Sequence, residues 1–422
     1  MASSLPAGQA GIWQIKTNHI QMKSKIIKNG VKYLTYLIQI FFLSSGLNCQ
    51  QVVNEKNLDS RIISESILEE LLKKPQGLEG YRPNQSGPLS RIDQKPGEKD
   101  DSTFTVEKMK IPSDGLMING WLYLPLGDGR FPLVVLTNGG GDGSRPIRVL
   151  SDWLAPIFAH CGIAAFVHDK RGTGESEGDF VKTTYEDYIR DAGNCAKWLS
   201  KHKKINPEMV GIMGGSEGGR IAVIAACRFP EIKFVISLAG TVVSAIDDWL
   251  NAQLNNYLDN GSINDSIYAK VKPLWERSFM AWASNDSKKH EMVNMEIAEW
   301  RKKFDKRILP YTKQEMDSIP EFRAVLPTWN SLQYDYLSEL KYFNKKWLAV
   351  FGEVDRVVPT EASVKNIIYY MSLSGNKDYS IAVIPKCGHA PIDVETKRMI
   401  RIDNIFINWL NDNVINNRNN NL

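Results

Sequence analysis

The chain has 422 residues, 43% hydrophobic and 24% charged, a balance that suits a globular protein and excludes both a disordered chain and a multi-span membrane protein. A net charge of +4 is small for this length and part of it sits in a basic N-terminal segment, so electrostatics give no support to a nucleic-acid partner. The length exceeds what one compact core usually holds, which predicts two structural units and a tail.

In chain order, the first signal is an address. Lys23, Lys25, Lys28 and Lys32 occur without an acidic neighbour, and an apolar run, Tyr33–Leu43, leads into Ser44-Ser45-Gly46-Leu47-Asn48-Cys49-Gln50. A basic segment, a short apolar segment and small residues form the layout of an export signal over about residues 22–49, with Met1 and Met22 both open as starts. The run is shorter than the roughly 20 residues a membrane span needs. The pattern predicts an exported, periplasmic or envelope protein. Membrane association is expected only through this signal or a lipidated Cys49, and Asn48 before Cys49 weighs against lipidation. Residues 1–50 are therefore read as the N-terminal extension and signal.

Residues 51–103 read as a linker with a short helix, whose apolar positions Ile63, Ile67, Leu68, Leu71 and Leu72 share one face. Strands are predicted over Phe104–Ile111 and Met117–Leu124, joined by the Pro112-Ser113-Asp114-Gly115 turn, and then over Phe131–Thr137 and Ile163–Val167. Helices are predicted over Val149–His160, Tyr185–Lys201 and Gly218–Phe229, with strands at Val210–Met213 and Lys233–Leu238. This alternation predicts a mostly parallel sheet with helices on both faces. Between about Gly240 and Tyr342 the strand rhythm stops, and helical patterns carry Trp249, Trp275, Trp282, Trp300 and Trp329. Strands return at Lys346–Phe351 and Tyr379–Ile384, and a helix closes the pattern over Ile400–Leu410. The organisation is a core in two parts, 104–240 and 343–413, a helical cap insertion over 241–342, and a tail over 414–422. The tryptophans are assigned first to the cap's own core and second to the wall of an apolar acyl pocket.

The five cysteines, Cys49, Cys161, Cys195, Cys227 and Cys387, form no CxxC pair and no metal-ligand spacing. Cys161, Cys195 and Cys227 read as small buried thiols, with a Cys195–Cys227 bridge left open.

An alkyl hydroxyl attacks a carbonyl only with a base in reach and donors where the oxygen turns negative. Two G-x-S-x-G matches occur, Gly174-Glu175-Ser176-Glu177-Gly178 and Gly214-Gly215-Ser216-Glu217-Gly218. Only the second lies between a strand and a helix, the context of a nucleophile elbow, so Ser216 is the candidate nucleophile. Of six histidines, His389 in Gly388-His389-Ala390-Pro391 follows the last strand and can reach across the carboxyl edge of the sheet. His168, which ends a strand beside Asp169, is given a structural role. Asp355 in Gly352-Glu353-Val354-Asp355 hangs over the same edge, with Glu353 as the alternative acid. Asn138-Gly139-Gly140-Gly141 follows the third strand, and the main-chain N–H groups of Gly140 and Glu217 are assigned to the oxyanion hole, with Gly139 or Gly141 as alternatives to Gly140.

These residues, with Asp169-Lys170-Arg171-Gly172-Thr173-Gly174-Glu175-Ser176 and Val358-Pro359, resemble the α/β-hydrolase superfamily over about Phe104–Gly240 and Tyr342–Leu410. The resemblance is to its serine esterase and serine-aminopeptidase-like members with a helical cap. It implies an eight-stranded, mostly parallel sheet, a structural role for Ser176, and the chain order Ser, Asp, His. Many relatives carry His where this chain has Asn138. The expected activity is hydrolysis of an acyl ester through an acyl-enzyme, with a small-molecule acyl substrate and neither cofactor nor metal. Amide or thioester cleavage by the same triad is the alternative, with Glu217 a candidate to hold a peptide amine. A non-catalytic exported binding protein is the third reading.

Overall fold

The computed structural model describes residues 61–73, 103–140, 149–259, 261–284, 286–318 and 334–416. The export signal, Gly141, Trp329, Cys49 and residues 417–422 of the tail lie outside the described residues.

The predicted hairpin forms from β1 (Phe104–Ser113) and β2 (Leu116–Pro125), antiparallel around Asp114 at φ 50° and Gly115 at φ 81°. Two successive positive φ values give a turn whose twist matches that of the strands. Six further strands complete one sheet: β3 (Phe131–Thr137), β4 (Ala164–His168), β5 (Ile205–Gly215), β6 (Phe234–Leu238), β7 (Lys346–Gly352) and β8 (Tyr379–Ile384). Their spatial order is β1-β2-β4-β3-β5-β6-β7-β8, antiparallel where β2 meets β1 and β4 and parallel elsewhere. The eight predicted runs are these strands. β5 is longer than predicted because Ile205 pairs with Phe131.

Strand alternation sends successive residues to two separate cores. Leu133 and Val135 of β3 enter the core shared with α3 (Tyr185–Leu199), α4 (Glu217–Arg228) and α9 (Thr360–Ser374). Val134 and Leu136 enter the core shared with α2 (Val149–His160) and α10 (Ile402–Leu410). Burial on both faces explains why these strands read as continuous apolar runs. α9 is missing from the predicted elements. Its buried stripe of Val364, Ile367 and Met371 is blurred by the exposed Tyr369 and Leu373.

The short helix read as part of a linker is α1 (Glu65–Leu72), capped by Ser64, and it is seated on the core. Ile63 N–H donates to Ile381 O and Ile381 N–H to Arg61 O, at 2.8 and 2.9 Å. Leu68 and Leu71 are buried. The Asn404 and Asn408 amides donate to the carbonyls of Leu72, Leu71 and Lys73, groups that the end of a helix otherwise leaves unpaired.

Between β6 and β7 stand α5 (Ala245–Asp259), α6 (Asp265–Trp282), α7 (Ser287–Trp300) and α8 (Lys313–Ser318), with no strand among the described residues there. Leu254, Val271, Leu274, Phe279 and Ile297 form a core of their own around Trp275 and Trp282. These two tryptophans fill the insertion's interior, and the Trp275 indole N–H donates to Ile308 O at 3.1 Å. Cys161, Cys195, Cys227 and Cys387 are free thiols, so no Cys195–Cys227 bridge forms. No helix among the described residues is long and apolar enough to cross a membrane.

The turn after β4 is fastened from both sides. Ser176 accepts the Asn119 N–H at 2.9 Å and donates to Asp169 O at 3.0 Å, which is the structural role expected of it. Arg171 forks onto Asp191 at 3.0 and 2.6 Å, and Ser113 donates to the same carboxylate at 2.6 Å. The Asp191 side chain is 2% exposed, so loss of its counter-charge leaves a buried anion. Arg171→Ala is predicted to lower the unfolding free energy by about 3 kcal/mol, read from urea denaturation.

Candidate active site

β5 ends at Gly215, α4 begins at Glu217, and Ser216 between them has φ 55° and ψ −125°. A non-glycine residue there costs about 1–3 kcal/mol and persists only where its surroundings over-determine it. They do so here. Ser216 N–H donates to Leu238 O of β6 at 2.8 Å, and the Thr137 hydroxyl lies against the carbonyls of Met213 and Gly218, at 3.1 and 2.8 Å. A Cβ on Gly218 would lie 2.6 Å from Thr137 O, and one on Gly214 2.2 Å from Thr137 Oγ1. The small residues of the motif are thus a packing requirement. The Ser216 hydroxyl caps no amide of α4.

Two strands away along the sheet, the loop leaving β7 carries Asp355, and one strand further the loop leaving β8 carries His389. The Asp355 carboxylate is fully buried, and its Oδ1 accepts the N–H groups of Val357 and Val358 at 2.8 and 2.9 Å. Its Oδ2 stands 2.8 Å from His389 Nδ1. A carboxylate accepts only, so the imidazole proton belongs on Nδ1 and the lone pair on Nε2. Glu353, the alternative acid, instead accepts the Lys386 N–H at 3.0 Å and so braces the two loops. The hydrogen bonds at this rim run from Asp355 to His389 and stop there, without reaching the Ser216 hydroxyl. The strands that lead to Ser216 and Asp355, β5 and β7, are two strand spacings apart, about 10 Å, a span that a carboxylate and an imidazole in series can bridge.

Of the other histidines, His290 Nε2 is taken up by the carbonyls of Ala281 and Ser284, and His160 Nδ1 by the Thr103 hydroxyl. His168 is buried with Nδ1 3.1 Å from Asp169 O, and burial holds its pKa below the ordinary value.

The glycine loop after β3 lies against the elbow. A Cβ on Gly139 would be 3.7 Å from Ser216 Cβ, and one on Gly140 would be 3.5 Å from Glu217 Oε2. Asn138, in the place many relatives give to His, is buried and donates from Nδ2 to His168 O at 2.7 Å. It ties the loop to β4.

Sequence reading missed the contribution of α5. Asn251 Nδ2 donates to Val357 O at 2.7 Å and Asn255 Nδ2 to Arg356 O at 3.0 Å, so the first helix of the insertion grips the loop that carries Asp355. Higher on the same helix, Asp248 meets Arg220 of α4 at 2.6 Å. Burial pushes the Asp248 carboxyl up, against the pull of Arg220 and of His389. The one signal in the sequence is the shared face of residues 248, 251, 255 and 259, but no local rule says what that face meets. Among the described residues no group of three or more His, Cys, Asp or Glu could hold a metal ion.

The model of the X-Pro dipeptidyl-peptidase (S15) family matches residues 101–389, well over half of the chain. A thiohydrolase of Aspergillus aculeatus is 30% identical over 142 residues, which are 33% of this chain and 43% of that protein. A polyketide transferase of Stachybotrys chlorohalonatus is 33% identical over 164 residues, 37% of this chain and 54% of its own length. An uncharacterized peptidase of Bacillus subtilis is 22% identical over 187 residues, 41% of this chain and 27% of its own. The chain thus spans about half, or less, of the curated relatives it matches. Among solved structures, an α/β hydrolase from a Penicillium species is 17% identical and covers 73% of this chain and 98% of its own, with a TM-score of 0.46. With its eight-stranded sheet and a match that ends on His389, the chain belongs to the X-Pro dipeptidyl-peptidase (S15) family and has the α/β-hydrolase fold.

Proposed function

We propose that this hydrolase opens carboxylic esters through an acyl-enzyme, with Ser216 as nucleophile, His389 as general base and Asp355 as the group that orients it. The observation that carries the reading is the 2.8 Å contact of His389 with a fully buried Asp355, at the rim where Ser216 occupies its elbow. As the Ser216 hydroxyl attacks the acyl carbonyl, Nε2 of His389 takes its proton, and the N–H groups of Gly140 and Glu217 receive the oxyanion. The imidazolium then protonates the leaving alkoxide. The neutral imidazole this leaves then takes a proton from the water that attacks the acyl-enzyme, and returns it to the Ser216 oxygen as the acid is released. Serine–histidine contacts are commonly long in an unliganded site and tighten when substrate arrives.

Charge pairing favours an uncharged acyl substrate. Glu217, the candidate to hold a peptide amine, is engaged by Lys170 at 2.6 Å, and Asp248 by Arg220 at 2.6 Å. Neither carboxylate near the elbow is left as a counter-charge for a substrate cation. Thioesters meet the same requirement, and the similarity to the Aspergillus thiohydrolase makes them the second substrate class to test. Amide cleavage is the remaining reading and draws on the family's peptidase description.

A fluorophosphonate probe is expected to label wild type and not Ser216→Ala. On a panel of p-nitrophenyl esters, acyl thioesters and aminoacyl amides, Ser216→Ala is expected to lose about 10⁴–10⁶ in kcat, and Asp355→Asn about 10⁴. Equal ester turnover by wild type and Ser216→Ala overturns the triad. Faster turnover of the amides moves the substrate class to peptides. Asn138→Ala, which loses the bond holding the glycine loop to His168 O, is expected to lower kcat about tenfold with KM little changed, less than the removal of an oxyanion donor itself.

A further inference from the structure

Lys170 belongs to the Asp169-Lys170-Arg171 turn after β4, a segment otherwise occupied with holding the fold together. Its side chain turns elsewhere. Nζ lies 2.6 Å from Glu217 Oε1, and the two side chains are only 10% and 9% exposed. The same ammonium stands over the Tyr188 ring, 4.8 Å from its centroid. The Glu217 carboxylate in turn lies against the glycine loop, with Oε2 3.5 Å from where a Cβ on Gly140 would be.

This is an awkward place for an anion. Glu217 supplies one of the two N–H groups assigned to the oxyanion, and its side chain abuts the residue that supplies the other. A carboxylate fixed there opposes the negative charge that grows on the substrate carbonyl. At an effective dielectric constant of about 20, a unit charge about 6–12 Å away changes a rate by roughly one to two powers of ten. A cation in direct contact with the carboxylate removes most of that opposing field.

We propose that Lys170 is a positioning residue of the hydrolytic site: it holds and neutralises Glu217, so that the Gly140 and Glu217 N–H groups offer the oxyanion a pocket free of net negative charge. The proposal rests on Ser216 as the nucleophile. It gives the buried pair a purpose that a salt bridge placed only for stability would not have, since burial of such a pair is often neutral for stability.

The two roles separate in a double-mutant cycle on the best ester of the panel, with folding checked by thermal melts. Lys170→Met removes the cation in direct contact with the carboxylate and is expected to lower kcat about 30-fold with KM within about twofold. In Lys170→Met/Glu217→Gln there is no anion to cancel, and at least tenfold of the loss is expected to return. A pair that matters only for packing predicts the opposite, a double variant as slow as Lys170→Met or slower, and that result overturns the proposal. If Lys170→Met fails to fold, the double variant is compared with Glu217→Gln. Values of kcat within about threefold of each other support charge cancellation, and a tenfold loss on removing Lys170 from the Gln background overturns it. Labelling of Ser216 in wild type is measured in the same series. Its absence removes the nucleophile reading itself, whereas labelling with no rescue removes only the role of Lys170.

Discussion

Holding Ser216 at φ 55° requires that everything beside it be small or already bonded. Gly214 and Gly218 have no room for a Cβ, because Thr137 crosses directly over them from β3. That crossing also sets the start of the glycine loop, since Asn138 and Gly139 follow Thr137 and have nowhere to go but over the elbow. One strained backbone angle therefore places the hydroxyl and both candidate oxyanion donors together. The strain is sustained by parallel pairing on each side, with Thr137 opposite Gly214 and Leu238 opposite Gly215. Central strands, buried on both faces, can supply this support. An edge strand could not.

The helical insertion is joined to this framework by a polar stripe along α5. Residues 248, 251, 255 and 259 recur at helical spacing, and each is engaged: Asp248 with Arg220, Asn251 and Asn255 with the carbonyls of Val357 and Arg356, and Asp259 with the Arg356 guanidinium. Arg220 follows Ser216 by four residues and is packed between the rings of Tyr185 and Tyr336, 5.5 and 4.8 Å from their centroids. α5 thus touches the elbow helix at one end and the acid loop at the other. Amide-to-carbonyl bonds of this kind fix a loop's path without adding charge near Asp355, which a lysine in the same position would do.

What was legible in the sequence had a short-range cause. The elbow shows because a strand, a sharp turn and a helix must follow one another within about fifteen residues, with small residues at fixed places. The strands show because burial on both faces makes them continuously apolar. Ser216, Asp355 and His389 could be picked out by combining those elements with chain order, although no local pattern states that they meet. The Lys170–Glu217 pair and the grip of Asn251 and Asn255 were not legible, since their partners are 47 and about a hundred residues away and neither residue type is unusual on a surface. The short helix within residues 51–103 was legible, but its seating on the core was not, for a similar reason. Its attachment depends on Asn404 and Asn408, more than three hundred residues on, and on a single bridge to Ile381. Asn138 carried a signal as a departure from the histidine of many relatives, but its use, a bond to the carbonyl at the end of β4, needed coordinates.

Three carboxylates around the rim differ in what faces them, and the difference bears on which can assist a reaction. Glu217 faces an ammonium and Asp248 a guanidinium, both charged before and after any step. The attraction within each of those pairs does not change along the reaction, so what they contribute is the charge balance of the pocket in which the reaction occurs. Asp355 faces an imidazole, which in the proposed mechanism becomes a cation only while it holds the proton taken from Ser216. Its attraction therefore grows as the reaction proceeds. The two N–H groups that anchor its other oxygen keep the carboxylate from following the proton, so the charge separation is stabilised where it forms. A site with its permanent charges cancelled in advance and one pair left to develop is what the proposed reaction asks for, a neutral substrate that acquires charge only in transit.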